Sequence, residues 1–217
     1  VKHGTPRGKL TRDVILEAVL QIVDAEGLSA VSMRRVGEAL GVEAMSLYNH
    51  VPSKAALLDG LYELVLSRAE PAPRAKTWMA HARHQGCALR AALAAHPNAI
   101  PLMAQRPAVT EAALLRLEAN LAVLHDAGLS PLAALSVVQI VFAFVVGHTL
   151  RSLGPRSPDA AELPSYAALD PHVFPHVRAA ALVLGEHDAE KEFEEGLSAL
   201  VQGLSTSFVA RARARSK

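Results

Sequence analysis

The sequence predicts an all-α protein: a small N-terminal three-helix unit of helix-turn-helix type, then a larger helical unit. Three observations carry this. Apolar residues make up 51% of the 217 positions, and few segments alternate with period two, so helices rather than strands must bury them. Ser32 to Lys54 holds two short amphipathic segments, Met33–Leu40 and Ala44–His50, separated by Gly41 and a short link. The rest of the chain is cut by proline, glycine and capping residues into stretches of helical length.

Val1 to Leu10 reads as an arm carrying Lys2, Arg7 and Lys9. A solvated tail and an arm that reaches phosphates or the minor groove both remain open. Thr11 is a good N-cap, and Asp13 in the first turn complements the helix dipole. Ile15, Ala18, Val19, Ile22 and Val23 form a core stripe, and Gly27 ends the helix. Ser32 caps the second helix, and Gly41 sits where a left-handed residue would stop it. Val36, Leu40, Val42, Leu47 and Val51 are spaced to seat both short segments on one small core. That leaves Ala44, Met45, Ser46, Tyr48, Asn49 and His50 facing outward. Such a surface is small, hydroxylated, aromatic and nearly uncharged. It suits a helix in the major groove, where side chains meet base edges and thymine methyls.

Arg34 and Arg35 stand in the first turn of the second helix, where cations oppose the dipole. Contact with backbone phosphates, and with a base for Arg34, would offset that; a solvated pair is the other reading. Pro52 cannot continue the third helix, so Ser53 caps a fourth, with Lys54 beside the reading surface and placed for a phosphate. Leu57, Leu58, Leu61, Leu64 and Val65 make this helix amphipathic, and Pro71 and Pro73 terminate it. The domain boundary is therefore expected at residues 70 and 71, giving units 1–70 and 71–217.

The larger unit reads as helices Ala75–Ala95, Asn98–Gln105, Val109–Asp126, Pro131–Leu153, Pro175–Leu184 and Ala189–Ala210. His96-Pro97 and Arg106-Pro107 bracket the second of these, Gly128 closes the third, and Ser130-Pro131 opens the fourth with a cap and a first-turn proline. Gly154 to Pro171 is proline-rich and reads as a long loop. The last helix carries Phe193, Leu197, Leu200, Val201, Leu204 and Phe208 on one face, with small residues between them. Paired with the apolar helix from Pro131, that face predicts a four-helix interface between two subunits. Arg211, Arg213, Arg215 and Lys217 make a cationic end, favoured by the dipole.

The formal net charge of +1 excludes a globally basic nucleic-acid binder but not a local basic surface. One cysteine, Cys87, excludes an intramolecular disulfide and fits a reducing cytoplasm. From the polar, basic start no secretion signal is expected. Pro131 to Leu150 approaches the roughly 20 apolar residues of a spanning helix, but Ser136, Gln139 and His148 interrupt it. A helix buried on all sides, partly by a second subunit, explains it better, and no membrane partner is expected.

Nucleophile-elbow, phosphate-loop and zinc-protease motifs are absent, so no catalytic residue, cofactor or metal is expected. His81 with His84, and His172 with His176, share helix-face spacings without evident further ligands.

Met33 to Leu61 (MRRVGEALGVEAMSLYNHVPSKAALLDGL) resembles the DNA-binding region of the tetracycline-repressor (TetR) family. The matching marks are Leu40-Gly41-Val42, Ser46-Leu47-Tyr48, His50-Val51, and Lys54 followed by Ala-Leu-Leu. The likeness continues through Arg106-Pro107, Leu117-Glu118, Ala127-Gly128 and the closing helices. It implies a cytoplasmic, dimeric regulator that binds a palindromic operator on double-stranded DNA. Arg34 and Lys54 would hold phosphates, Ala44, Met45, Ser46, Tyr48 and Asn49 would meet bases, and His50 would contact either. In such proteins the effector lies inside the helical bundle. By position, the resemblance places Gln85, Leu89, Leu102, Gln105, Arg106, Asn120, Leu135, Gln139 and Phe142 on its lining. The chain departs from the tetracycline type where a metal-binding histidine is matched by Leu102 and its acidic partner by Arg151. A metal-free effector is therefore expected, an acidic or carbonyl-bearing apolar molecule if Arg106 and Arg151 lie nearby. Two other readings stay open: an all-helical small-molecule enzyme with a vestigial helix-turn-helix, and a protein–protein adaptor.

Overall fold

The computed structural model describes residues 10–70, 75–155, 166–184 and 187–215, with the side chains of the final helix described as far as Phe208. Among these residues there are ten α-helices and no strand. The expected arm, the prolines at 71 and 73, most of the proline-rich loop, and Lys217 lie outside the described residues.

Local signals set the first four helices. α1 (Arg12–Glu26) starts where the Thr11 hydroxyl accepts the Val14 amide at 3.3 Å, and ends at Gly27. α2 (Met33–Leu40) is capped by Ser32, which accepts the Arg35 amide at 3.1 Å, and stops at Gly41 with φ of 66°. α3 spans only Ala44–Leu47, shorter than the expected Ala44–His50. The amides of His50 and Val51 both donate to the Leu47 carbonyl at 2.9 Å, so the chain tightens into a turn before Pro52. α4 (Lys54–Ser67) is capped by Ser53, as expected, and ends ahead of the prolines, where the Ser67 hydroxyl donates to the Leu64 carbonyl at 2.7 Å. Ile15, Val19, Val36, Leu47, Leu57 and Leu61 are fully buried and make the core of this unit.

Gly37 decides how α2 meets α3. A Cβ added there would lie 2.8 Å from the Val42 carbonyl oxygen and 3.2 Å from the Ala44 nitrogen. These are backbone atoms, so only glycine allows the approach.

α5 (Trp78–Ala95) begins three residues later than expected, because Thr77 caps it through the Ala80 amide at 3.1 Å. A short 3₁₀ turn (Pro97–Ala99) leads into α6 (Ile100–Gln105), and Thr110 caps α7 (Glu111–Asp126). α8 (Pro131–Leu153) has its expected bounds and its Ser130 cap. After a 3₁₀ turn at Tyr166–Ala168 come α9 (Pro175–Val183) and α10 (Ala189–Arg215), the last continuing beyond the expected Ala210.

α5, α8 and α10 pack together as the centre of the larger unit. Phe193 stacks on Phe144 at 5.6 Å between centroids, and the Arg90 guanidinium lies 4.4 Å over the Phe193 ring. This corrects one expectation. Phe193, Leu197 and Val201 are buried within the protomer, so only part of the apolar stripe on α10 remains for a second subunit. By length and composition alone, α8 is apolar enough to cross a membrane; in the fold its Val137, Val141, Val145 and Thr149 face neighbouring helices.

The two units are joined by specific bonds. Asp24 on α1 accepts from the His96 ring at 2.9 Å, and its carbonyl accepts from Asn98 at 2.9 Å. Asp59 on α4 pairs with Arg106 at 2.6 Å.

Candidate functional site

The outward ridge of α3 and its following turn is the first candidate. Met45 is 72% exposed, and Tyr48, Asn49 and His50 are exposed beside it. Ser46 is half-buried. Ala44 is turned partly inward against the core, a correction forced by the close approach of Gly37. Lys54, the first residue of α4, is exposed at the end of the same ridge. Arg34 and Arg35 have different fates. The Arg34 side chain is 87% exposed, with Glu38 one turn away at 3.5 Å. Arg35 is committed to Glu26, its Nε donating at 3.1 Å. That hydrogen bond holds the Glu26 carboxyl below its ordinary pKa and raises that of Arg35. Arg35 therefore braces α2 on α1, and Arg34 is the cation directed outward.

The second candidate is a cavity of about 240 Å³ in the larger unit. Its walls come from α5, α7 and α8, and its roof is formed by Tyr62 and Leu66 in the last turns of α4 and by Ala69 just beyond it. Six of the nine residues expected on its lining are there: Gln85, Leu89, Asn120, Leu135, Gln139 and Phe142. Three are not. Leu102 is buried in the core, Gln105 is exposed, and Arg106 bonds to Asp59 at 2.9 Å through Nε and to the Ala55 carbonyl at 3.4 Å. Arg106 thus ties the end of α6 to α4. Arg151 is also elsewhere, at 3.1 Å from Glu192. Gln139 lines the cavity from an exposed position, so its amide meets solvent and needs no buried partner.

Sequence reasoning missed Arg116, a half-buried cation on the cavity lining. The Arg116 guanidinium donates to the Ala69 carbonyl at 3.0 Å and to Gln85 Oε1 at 3.4 Å. Burial lowers its pKa from the ordinary value. Asn120 donates to the Arg116 carbonyl at 2.9 Å, and its Oδ1 accepts from His81 Nε2 at 2.9 Å. Arg116 and Asn120 share the α7 face that carries Ala113, Leu117 and Leu124, and two polar residues on that stripe were the available signal. Among the described residues, neither Asp nor Glu lines the cavity. Among the described residues, no three His, Cys, Asp or Glu side chains come together as a metal requires.

Comparison with known proteins places this architecture. Residues 15–61 match the model for bacterial regulatory proteins of the tetR family, and residues 70–208 match the tetracyclin repressor-like C-terminal domain. The chain belongs to the tetR family. It is a ligand-responsive, DNA-binding transcriptional regulator with an N-terminal helix-turn-helix and a helical C-terminal domain. Among relatives of this tetR-family chain, the tetracycline repressor class A from transposon 1721 of Escherichia coli is 30% identical, covering 91% of both chains. The repressor DrrR1 of Streptomyces coeruleorubidus is 35% identical over 65% of this chain, but that match spans only 53% of DrrR1. Among solved structures, apo ActR from Streptomyces coelicolor aligns with a TM-score of 0.76 at 28% identity, covering 91% of this chain and 95% of its own. ActR in complex with actinorhodin aligns with a TM-score of 0.78 at 27% identity, covering 93% and 98%.

Proposed function

We propose that the chain is a homodimeric repressor, released from a palindromic operator by a small-molecule effector that needs no metal. The observation that carries this reading is α4, which begins at the ridge with Lys54 and whose last turns, through Tyr62 and Leu66, roof the cavity. A molecule in the cavity touches the same rigid element that orients the ridge. Two such ridges, about 34–36 Å apart or at a longer multiple, would enter successive major grooves. Arg34 and Lys54 would take phosphates, while Met45, Ser46, Tyr48 and Asn49, with Ala44 at the edge, would meet bases, and His50 either. The effector prefers a state with the ridges wrongly spaced, and its influence on DNA affinity is limited by its preference between the two states.

Support for a second protomer comes from uncovered apolar surface. Leu132 on α8 is 70% exposed and Leu182 on α9 68%, with Ile140, Val177 and Val183 also exposed. Ala143 and Gly147 on α8, and Ala199 and Gly203 on α10, are exposed small residues that admit close helix packing. We place the domain boundary at residues 70 and 71 and the protein in the cytoplasm, where its operator would be. The likeness to the tetracycline repressors does not extend to a tetracycline–metal effector, since Leu102 and Arg151 occupy the matching positions.

Selection from a random duplex library, followed by gel shift, tests the reading. The expected result is a palindromic site bound by two protomers, with loss of binding in a folded Tyr48→Ala variant. Sequence-independent binding alone, or chemical turnover of a bound metabolite, would overturn it.

A further inference from the structure

The cavity wall has one feature that its role as a container does not require. Arg116 is a cation set in a largely apolar chamber, and among the described residues those lining that chamber include no carboxylate. Its bonds among the described residues go to neutral acceptors, the Ala69 carbonyl and Gln85 Oε1. Other arginines joining helices are neutralised: Arg12 by Glu63 at 2.9 Å, Arg90 by Glu190 at 2.7 Å and Arg106 by Asp59 at 2.6 Å. Arg116 is half-buried, and even a partial withdrawal of a guanidinium from water without a counter-charge costs free energy that neutral acceptors offset only in part. The lining adds the exposed Gln139 amide and the half-buried, coupled His81–Asn120 pair. Arg116, Gln139 and the second Nδ2 hydrogen of Asn120 can donate to a ligand, whereas the His81 Nε2 hydrogen is taken up by Asn120 Oδ1. The walls between them are Leu89, Leu117, Val138 and Phe142.

Resting on the reading of this cavity as the effector site, we infer that the effector is an apolar, ring-sized organic anion whose carboxylate, enolate or phenolate pairs with Arg116. The anion replaces neutral acceptors with a charged one, so the guanidinium leaves or shares its bond to Ala69. The bland role for Arg116, a cation capping the negative end of α4, is satisfied by Ala69 alone and gives no preference for charge in a ligand.

Two fluorescent probes of nearly the same skeleton separate the possibilities: anilinonaphthalene sulfonate, an anion, and phenylnaphthylamine, its neutral counterpart. Both would be titrated into the full chain, into Arg116→Gln, into Arg116→Lys, and into Val138→Trp, which fills the cavity. The wild type is expected to prefer the anion. Arg116→Gln should lose roughly tenfold to a hundredfold in affinity for the anion and retain the neutral probe, which also shows that the variant is folded. Arg116→Lys should fall between them, and Val138→Trp should lose both. Equal binding of both probes, unchanged in Arg116→Gln, would remove the anion inference and leave the cavity reading intact. If neither probe binds, or if Val138→Trp binds both as the wild type does, the effector-site reading itself falls and the inference with it.

Discussion

The Arg116 guanidinium reaches from the middle of α7 to the carbonyl of Ala69, 3.0 Å away and two residues past the end of α4. Ala69 is 1% exposed, and its amide closes the last turn on Leu66 at 3.1 Å. The terminal carbonyls of a helix carry partial negative charge, and a cation beside them is worth about 0.3–1 kcal/mol, more where partly buried. Arg116→Met should therefore loosen the end of α4 without touching the small core at its start. Amide exchange at Arg68 and Ala69 is expected to quicken several-fold, with Ile15 to Val23 unchanged. Uniform quickening across α1 and α4 would mean that Arg116 acts on global stability instead.

Gly37 offers a sharper structural test. Its missing Cβ makes room for the Val42 carbonyl and the Ala44 nitrogen, and neither can move without shifting α3. Gly37→Ala should cost about 1–3 kcal/mol in urea unfolding and displace the ridge, abolishing operator binding. Gly41→Ala meets no atom within 4 Å but sits at φ of 66°, so it should cost about 1–2 kcal/mol through the backbone alone.

These two glycines show what was legible and what was not. Gly41 was readable because its reason is local: a helix stops there in a left-handed residue. Thr11, Ser32, Ser53 and Ser130 were readable as caps for the same reason. Gly37 was not, because its reason is a backbone across the turn. The cavity divides the same way. Gln85, Asn120 and Phe142 are found by likeness to a family, but the same likeness puts Arg106 on the lining although Asp59, 47 residues upstream, holds it elsewhere. No spacing rule connects those two positions. The apolar stripe of α10 misleads for a related reason: a stripe announces burial but not whether the cover is the same chain or a partner.

Acid should weaken the fold through identifiable pairs. Hydrogen bonds from Arg90 hold the Glu190 carboxyl below its ordinary value of 4.5, and those from Arg12 do the same for Glu63. Both carboxylates bind protons less readily folded than unfolded, so their contribution is complete above about pH 4.5 and fades as pH falls through the lower folded values. Protonating Glu190 also leaves Arg90, whose side chain is 5% exposed, without its counter-charge. The urea midpoint should hold from neutrality to about pH 5 and drop below that. A Glu63→Gln/Glu190→Gln double variant should start lower at neutral pH and fall less steeply. An identical acid limb in the variant would assign the effect to other groups.

Lys54 and Tyr48 should fail differently on DNA. A lysine on a phosphate adds affinity without sequence preference, so Lys54→Ala should weaken all duplexes alike. It should also make log K less steep against log salt by roughly one unit for each phosphate no longer neutralised, about two for a paired dimer. Tyr48→Ala should keep the salt slope and relax the choice of bases. Both side chains are exposed, so thermal unfolding should be unchanged within about 0.5 kcal/mol. A Lys54→Ala protein with an unaltered slope would place this lysine away from the phosphates.

Gly147 tests the proposed pairing by the sign of its effect. An added Cβ meets nothing within 4 Å in the isolated protomer, and the position lies inside α8. In a monomer, replacing a mid-helix glycine should stabilise by up to about 1 kcal/mol, because glycine is a poor helix former. In a dimer packed through this face, Gly147→Arg puts a bulky cation where two helices must approach closely. The expected result is a folded monomer by sedimentation, with a near-native circular dichroism spectrum and weak operator binding. A variant that stays dimeric and melts higher than the wild type would show that this side of α8 faces solvent and that the pairing uses another surface.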